Sequence, residues 1–239
     1  MTNSTTGTEA DPKMPPRELT LIVAATNAMG IGKNGTLPWT GLKKEMAYFA
    51  RVTKRASPGV SICYSSIYTS LRLDQEWKLT ALCLQIQNTV IMGRKTWESI
   101  PPRFRPLKDR KNIVISRSSH ASEGSTSHSD HTNASSLESA LQHLSQESSP
   151  GKAFIIGGGQ IYKAALERQE AKRILLTRVL SDFECDTAFP VVLGEEGKGD
   201  GWVRKDKAAL DAWVGESVAD GVQQEGETRY VFEMWERID

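Results

Sequence analysis

The sequence predicts an α/β protein: a mainly parallel sheet closed by an antiparallel C-terminal strand and flanked by about four helices. Three observations lead there. Short apolar runs recur at LTLIVAAT, NTVIM, KNIVIS, KAFII and RILLTRVL, and they are unbroken, as expected of strands buried on both faces. Between them, apolar residues return every three or four positions, which places helices at about 42–53, 95–100, 136–145 and 160–167. The final run, RYVFEMWERI, alternates more and suits an antiparallel strand.

Residues 1–18 are rich in Thr, Pro and charge, and read as a flexible tail before a single domain over 19–239. The first strand, Leu19 to Thr26, leads into MGIGKNGTLPW. Gly30, Gly32 and Gly35 formally match G-x-G-x-x-G, but Thr36-Leu37-Pro38-Trp39 follows where a dinucleotide fingerprint opens a helix. About 20 residues on, Lys54 and Arg55 stand where a ribose-binding acid belongs. These glycines are therefore read as a mobile loop lying against a ligand. In the next helix Leu42, Met46, Phe49, Ala50 and Thr53 form an apolar stripe, and Glu45 falls inside it. A buried acid needs a partner, and the parallel N–H pair of an amidine-like heterocycle suits a carboxylate.

Two strand-to-helix junctions carry phosphate chemistry. Gly157-Gly158-Gly159 lets backbone N–H groups approach a pyrophosphate at a helix N-terminus. NTVIMGRKTW repeats the arrangement with Gly93, Arg94, Lys95 and Thr96, and a third strand ends in Ser116-Arg117. Basic groups without an acid favour a 2′-phosphorylated dinucleotide. The helix at 136–145 has Ser135 or Ser136 as its N-cap, with Glu138 behind it.

Composition excludes several classes. The 30 basic and 29 acidic residues leave no polyanion footprint, so nucleic acid is not an expected partner. No apolar run approaches the roughly 18 residues of a membrane span, and residues 1–17 lack a secretory core, so a cytoplasmic location is expected. Cys63, Cys83 and Cys185 are odd in number without ligand spacing, which suits reduced thiols. His120, His128 and His131 sit in a Ser-rich loop with few carboxylate partners, so no metal is expected. Residues 195–201 read as a flexible exposed loop.

Taken in order and spacing, MGIGKNGTLPW, the Glu45 helix, VIMGRKTWESIP, RPLKDRKNIVISR, FIIGGGQIY and LLTRVLSDFECDTAFP resemble dihydrofolate reductase of the eukaryotic type, the fungal enzymes included. The resemblance runs from about Leu19 to Asp239. It implies an eight-stranded, mostly parallel sheet with four flanking helices, NADPH as hydride donor and 7,8-dihydrofolate as substrate; a monomer is expected. Glu45 would pair with the pterin, Thr177 would hydrogen-bond that carboxylate, and Trp39 would hold an ordered water. Ile22, Ala24, Met46, Phe49, Ile100, Leu107, Ile156 and Tyr162 would line the substrate pocket, with Arg110 clamping the substrate's α-carboxylate. Ala24, Ile31, Gly32 and Gly35 would cover the nicotinamide side. Gly157, Gly158, Gly159, Gln160 and Ile161 would hold the pyrophosphate, with Thr187 nearby. Gly93, Arg94, Lys95, Thr96, Ser116 and Arg117 would take the adenosine phosphates, and a cis peptide would fall at Gly157-Gly158. Thr36, Thr40 and Met46 depart from the family's usual residues, which bears on inhibitor selectivity.

The implied reaction passes hydride to the pterin C6, while a water admitted past Leu37 protonates N5. Two competing readings remain: a pyrimidine reductase of riboflavin synthesis on the same scaffold, which leaves Glu45 with Arg110 unexplained, and a noncatalytic folate-binding protein. Residues 60–87 do not fit the resemblance, which spends only a short loop there. Val60-Ser61, Leu79-Thr80 and Gln85 or Gln87 permit codons resembling an intron's donor, branch point and acceptor, so a retained intron and a genuine insertion both stand.

Overall fold

The computed structural model describes residues 17–55, 87–117, 131–146 and 151–238. In chain order these form β1 (Leu19–Thr26), β2 (Gly30–Gly32), α1 (Lys43–Lys54), β3 (Asn88–Gly93), α2 (Arg94–Ser99), β4 (Arg110–Ile115), β5 (Thr132–Ala134), α3 (Leu137–Ser145), β6 (Ala153–Ile155), α4 (Gly159–Leu166), β7 (Ala171–Val179), β8 (Thr187–Ala188), β9 (Lys198–Gly199), β10 (Trp202–Arg204), α5 (Lys207–Val214), β11 (Gln223–Glu225) and β12 (Thr228–Arg237). The tail at 1–16, most of the 60–87 segment, and His120 and His128 lie outside the described residues.

The main sheet runs β5-β4-β3-β6-β1-β7-β12-β10-β9, with β11 paired to β12. Strands β5 to β7 in that order are parallel, and β12 closes the sheet antiparallel to β7, as expected. Among the described residues the main sheet has ten strands rather than eight, because short pieces extend the β12 edge, and β2 and β8 pair separately. Residues 195–201, expected as a plain loop, contribute β9.

The unbroken strand runs have a simple cause: both faces are covered. Leu19, Leu21, Val23 and Ala25 join one core cluster beneath α3 and α4, while Ile22 joins another with Tyr48 and Val52 of α1 and Leu210 and Val214 of α5. Successive side chains of a strand thus feed different cores. Helix α3 starts at Ser136, whose hydroxyl accepts from the Ser139 N–H at 3.2 Å. Helix α5 was not expected. Its signals were present, since Asp206 caps it by accepting from the Ala209 N–H at 2.8 Å and Gly215 ends it at φ +76°. No helix among the described residues is long and apolar enough to cross a membrane.

The sheet order places the site. Strand β6 returns to lie between β3 and β1, so the chain reverses its direction of winding there. The carboxyl ends of β1, β3, β4 and β6 consequently open at one crevice, the usual place for a ligand in such sheets.

Candidate active site

Helix α1 corrects the expected stripe. Its buried residues are Glu45, Tyr48, Val52 and Thr53, continuing the line of buried Leu42, whereas Met46 is 52% exposed and Phe49 half-buried. The helix is rotated toward Glu45, because its inward face must meet β3 and the sheet while its apolar edge faces the crevice. Glu45 is only 8% exposed, and the Thr177 hydroxyl donates to its Oε1 at 3.2 Å. No salt bridge reaches it among the described residues. Burial pushes its pKa up to about 7, with the Thr177 hydrogen bond opposing and the charge of Glu225 reinforcing the rise.

Thr177 sits on β7 opposite Ala24 of β1 on one side and Phe232 of β12 on the other. The acid therefore stands over the row holding Ala24, which is half-buried. Ile22, Phe49, Ile100, Leu107 and Ile156 meet in a single apolar cluster, so the structure brings these pocket residues together. Trp39 is buried edge-on against Phe183 at 5.6 Å, and its indole N–H has no acceptor among the described residues. A buried N–H of this kind suits an ordered water. Leu37, on the loop after β2, is 48% exposed. Tyr162 lies underneath rather than at the surface: its hydroxyl donates to the Ile22 carbonyl at 2.7 Å.

Arg110 opens β4 and is 9% exposed. Its Nη1 donates to the Thr53 hydroxyl at 2.7 Å, its Nε to the Lys108 carbonyl at 3.0 Å, and its guanidinium lies 5.9 Å from the Phe49 ring centre. The neighbouring Asp109 is taken by Lys54 at 3.0 Å. Burial pushes the Arg110 pKa down to about 10, so it stays charged at neutral pH and an arriving carboxylate would repay part of its lost hydration.

The glycine turns meet across β3 and β6. The Gly93 N–H donates to the Gly157 carbonyl at 2.8 Å, and the Gly157–Gly158 peptide is cis. A Cβ at Gly158 would stand 3.3 Å from the Thr96 hydroxyl, and one at Gly159 3.3 Å from the Thr187 methyl. Helices α2 and α4 both begin after glycine with no side chain capping them, which leaves backbone N–H groups for an outside acceptor. Ile161 packs 3.2 Å from where a Cβ of Gly93 would stand. Arg94 pairs with Glu98 at 2.9 Å, while Lys95, Gln160 and Arg117 are exposed and Ser116 half-buried at the end of β4. This cradle fits a phosphorylated dinucleotide.

Gly30 to Thr36 is a hairpin, so the apparent dinucleotide fingerprint opens no helix. Lys33 and Thr36 exchange backbone hydrogen bonds around Asn34 and Gly35, both with positive φ. An Asn-Gly pair favours such a turn, a signal the sequence held. Strand β2 pairs with β8, which sets Gly32 beside Thr187, and Ile31 packs on the α4-side core. A cleft of about 410 Å³ separates Asn34, Gly35 and Thr36 from Lys95, Glu98 and Ser99 of α2.

Sequence reasoning missed Glu225, which caps α1 from β11, and the hairpin anchor Asp186, which accepts from the Asn34 N–H at 2.7 Å. Neither has a local signal, because both partners lie more than a hundred residues away. Among the described residues no three His, Cys, Asp or Glu side chains gather as for a metal, and His131 stacks on Trp97.

One crevice thus joins an acid that no salt bridge reaches among the described residues to glycine turns at two helix N-termini. A family model described as dihydrofolate reductase matches residues 76–199. The dihydrofolate reductase of Pneumocystis carinii is 39% identical over 92% of this chain and 97% of its own length. That of Cryptococcus neoformans is 37% identical over 91% and 93% respectively. The solved Schistosoma mansoni dihydrofolate reductase superposes with a TM-score of 0.65 at 32% identity, covering 93% of this chain and all of that one. The chain belongs to the dihydrofolate reductase family, and it is an enzyme.

Proposed function

We propose that this enzyme reduces 7,8-dihydrofolate to 5,6,7,8-tetrahydrofolate with NADPH. The observation that carries the reading is Glu45: a buried carboxylate with a hydroxyl donor and no cation among the described residues, beside the crevice that holds the glycine turns. Bound NADPH supplies a hydride, delivered to C6 of the pterin. Gly93, Thr96 and Gly157 to Gly159 would hold its phosphates through backbone N–H groups and the Thr96 hydroxyl, with Lys95, Ser116 and Arg117 at the adenosine end. Ala24, Ile22, Phe49, Ile100, Leu107 and Ile156 exclude bulk water from the reacting rings.

Glu45 grips the amidine-like edge of the pterin and Thr177 orients it. Because that edge is remote from N5, Glu45 does not pass the proton directly. Its negative charge raises the basicity of the bound ring, and a water entering past Leu37, near the one held at Trp39, delivers the proton to N5. Arg110, already fixed by Thr53 and Lys108, takes the substrate's α-carboxylate.

The Asn88 side-chain amide donates to the carbonyls of Thr53 at 3.0 Å and Arg55 at 2.9 Å, so the two ends flanking residues 60–87 are already pinned together. The reading implies a cytoplasmic monomer. It is tested by the loss of NADPH absorbance on adding dihydrofolate, with Glu45→Gln alongside. Turnover that falls by about a hundredfold or more in the variant, with NADPH affinity unchanged, is expected. Binding of both ligands without turnover in the parent would instead favour a noncatalytic folate-binding protein.

A further inference from the structure

We propose that Glu225 is a positioning residue for Glu45: its carboxylate replaces the missing N-cap of α1, fixes the turn that carries Glu45, and adds a second negative charge to the pterin end of the crevice. This rests on the function proposed above for Glu45.

Helix α1 starts after Leu42, which has no side-chain acceptor for the orphan N–H groups of the first turn. Glu225, at the end of β11, supplies one from 180 residues away. Its two oxygens accept from the Lys44 N–H at 3.0 and 2.9 Å, and Oε1 accepts from the N–H of Glu45 itself at 3.2 Å. The Tyr230 hydroxyl on β12 donates to the same Oε1 at 2.7 Å, and the Tyr230 residue is fully buried. The cap is therefore held from both sides, by the helix it serves and by the strand beside β7. Since β7 carries Thr177, the same strand pair fixes both the helix turn and the hydroxyl that binds Glu45.

The electrostatic consequence has a definite sign. An uncapped helix N-terminus carries partial positive charge, which would favour an ionised Glu45 at its third residue. Glu225 cancels that field. Burial works against its ionisation, yet the hydrogen bonds from the Lys44 backbone, Tyr230 and the Glu45 and Lys43 backbones outweigh it and hold its carboxyl below the usual range. The titratable or charged groups around Glu45 are Tyr48 on α1, Tyr162 on α4, Tyr230 on β12 and Glu225 on β11; Lys43 and Lys44 are exposed on α1. One turn further, Arg51, Asp211 and Glu216 act on Tyr48. Glu225 is the anion whose charge acts on Glu45 among the described residues, and removing that charge makes both Glu45 easier to ionise and the bound ring less basic.

The test compares the full-length parent with Glu225→Gln, Glu225→Asp and Tyr230→Phe. Single-turnover hydride transfer from NADPH to dihydrofolate is followed against pH, together with the pH dependence of binding of a 2,4-diaminopyrimidine. Glu225→Gln should lower the alkaline midpoint of the rate by about half a unit to one unit, leaving NADPH affinity within about twofold. Glu225→Asp, which keeps the charge, should return the parental midpoint. Tyr230→Phe should lower Tm without moving the midpoint. A Glu225→Gln profile that superimposes on the parent in both measurements, whatever its Tm, would overturn the proposal. A parent that binds the diaminopyrimidine but does not turn over dihydrofolate would instead sink the reductase reading, while the binding titration still reports on Glu225.

Discussion

Glu45 and Glu233 are buried alike, 8% and 7% exposed, and they face neighbouring residues of one strand. Arg178 on β7 meets Glu233 with Nε and Nη2, both at 3.0 Å; Arg204 adds a contact at 3.2 Å and the Trp235 indole one at 2.9 Å. Glu45, against Thr177 on the opposite face of the same strand, receives one neutral hydroxyl. The first carboxylate has spent its lone pairs inside the fold. The second keeps lone pairs free among the described residues, and it is the one we propose meets a ligand. Burial alone does not distinguish a structural acid from a working one; the countercharge does.

Breaking the paired acid should have the largest effect on stability. Arg178→Leu leaves Glu233 buried against the partly exposed Arg204 and the neutral Trp235 indole, and should cost about 3 to 5 kcal/mol in urea unfolding, with KM for dihydrofolate little changed in the folded fraction.

Glu45→Gln should do the reverse. A carboxyl whose folded pKa, about 7, lies above its ordinary 4.5 holds its proton more tightly when folded. Its stabilising contribution is full below about pH 4.5 and lost as pH rises through about 7. The glutamine variant lacks that loss, so relative to the parent it should gain about 2 to 4 kcal/mol between pH 4.5 and pH 8. A stabilised protein with a crippled rate would sharpen the contrast with Arg178.

A third prediction concerns the other end of the crevice. Arg110→Leu should weaken a substrate bearing the α-carboxylate about 10- to 100-fold, and a diaminopyrimidine fragment without it hardly at all. Equal losses for both would mean that Arg110 only supports Thr53 and the Lys108 turn. The smallest effect is expected on deleting residues 60–87. With Asn88 already tied to Thr53 and Arg55, the remaining Ala56-Ser57-Pro58-Gly59 suffices as a connection, and Tm should stay within a few degrees.

The strands were legible because burial on both faces leaves an unbroken apolar signature: β1, β3, β4, β6, β7 and β12 all fall on runs read from the sequence. Helix α5 was legible but passed over, since Asp206 and Gly215 mark its ends. The rotation of α1 was not legible. Periodicity gives a stripe, but which edge of it turns inward depends on the sheet, and Tyr48 rather than Met46 took that place. Glu225 and the Arg178–Glu233 pair were invisible for the same reason, because each joins residues whose proximity only the strand order creates. The two glycine turns that meet across β3 and β6 were read from glycine placement, where local backbone demands coincide with the phosphate chemistry we propose for them. The Asn34-Gly35 hairpin shows how the same residue type misleads when the turn it builds is ignored.

The direct test of the unpaired acid is a carbon-13 NMR titration of the Glu45 side-chain carboxyl, with and without a 2,4-diaminopyrimidine. A midpoint near 7 in the free protein, falling by about two units or more when the cationic ring binds, is the predicted result. A midpoint near the ordinary 4.5 that the ligand leaves unmoved would contradict the account.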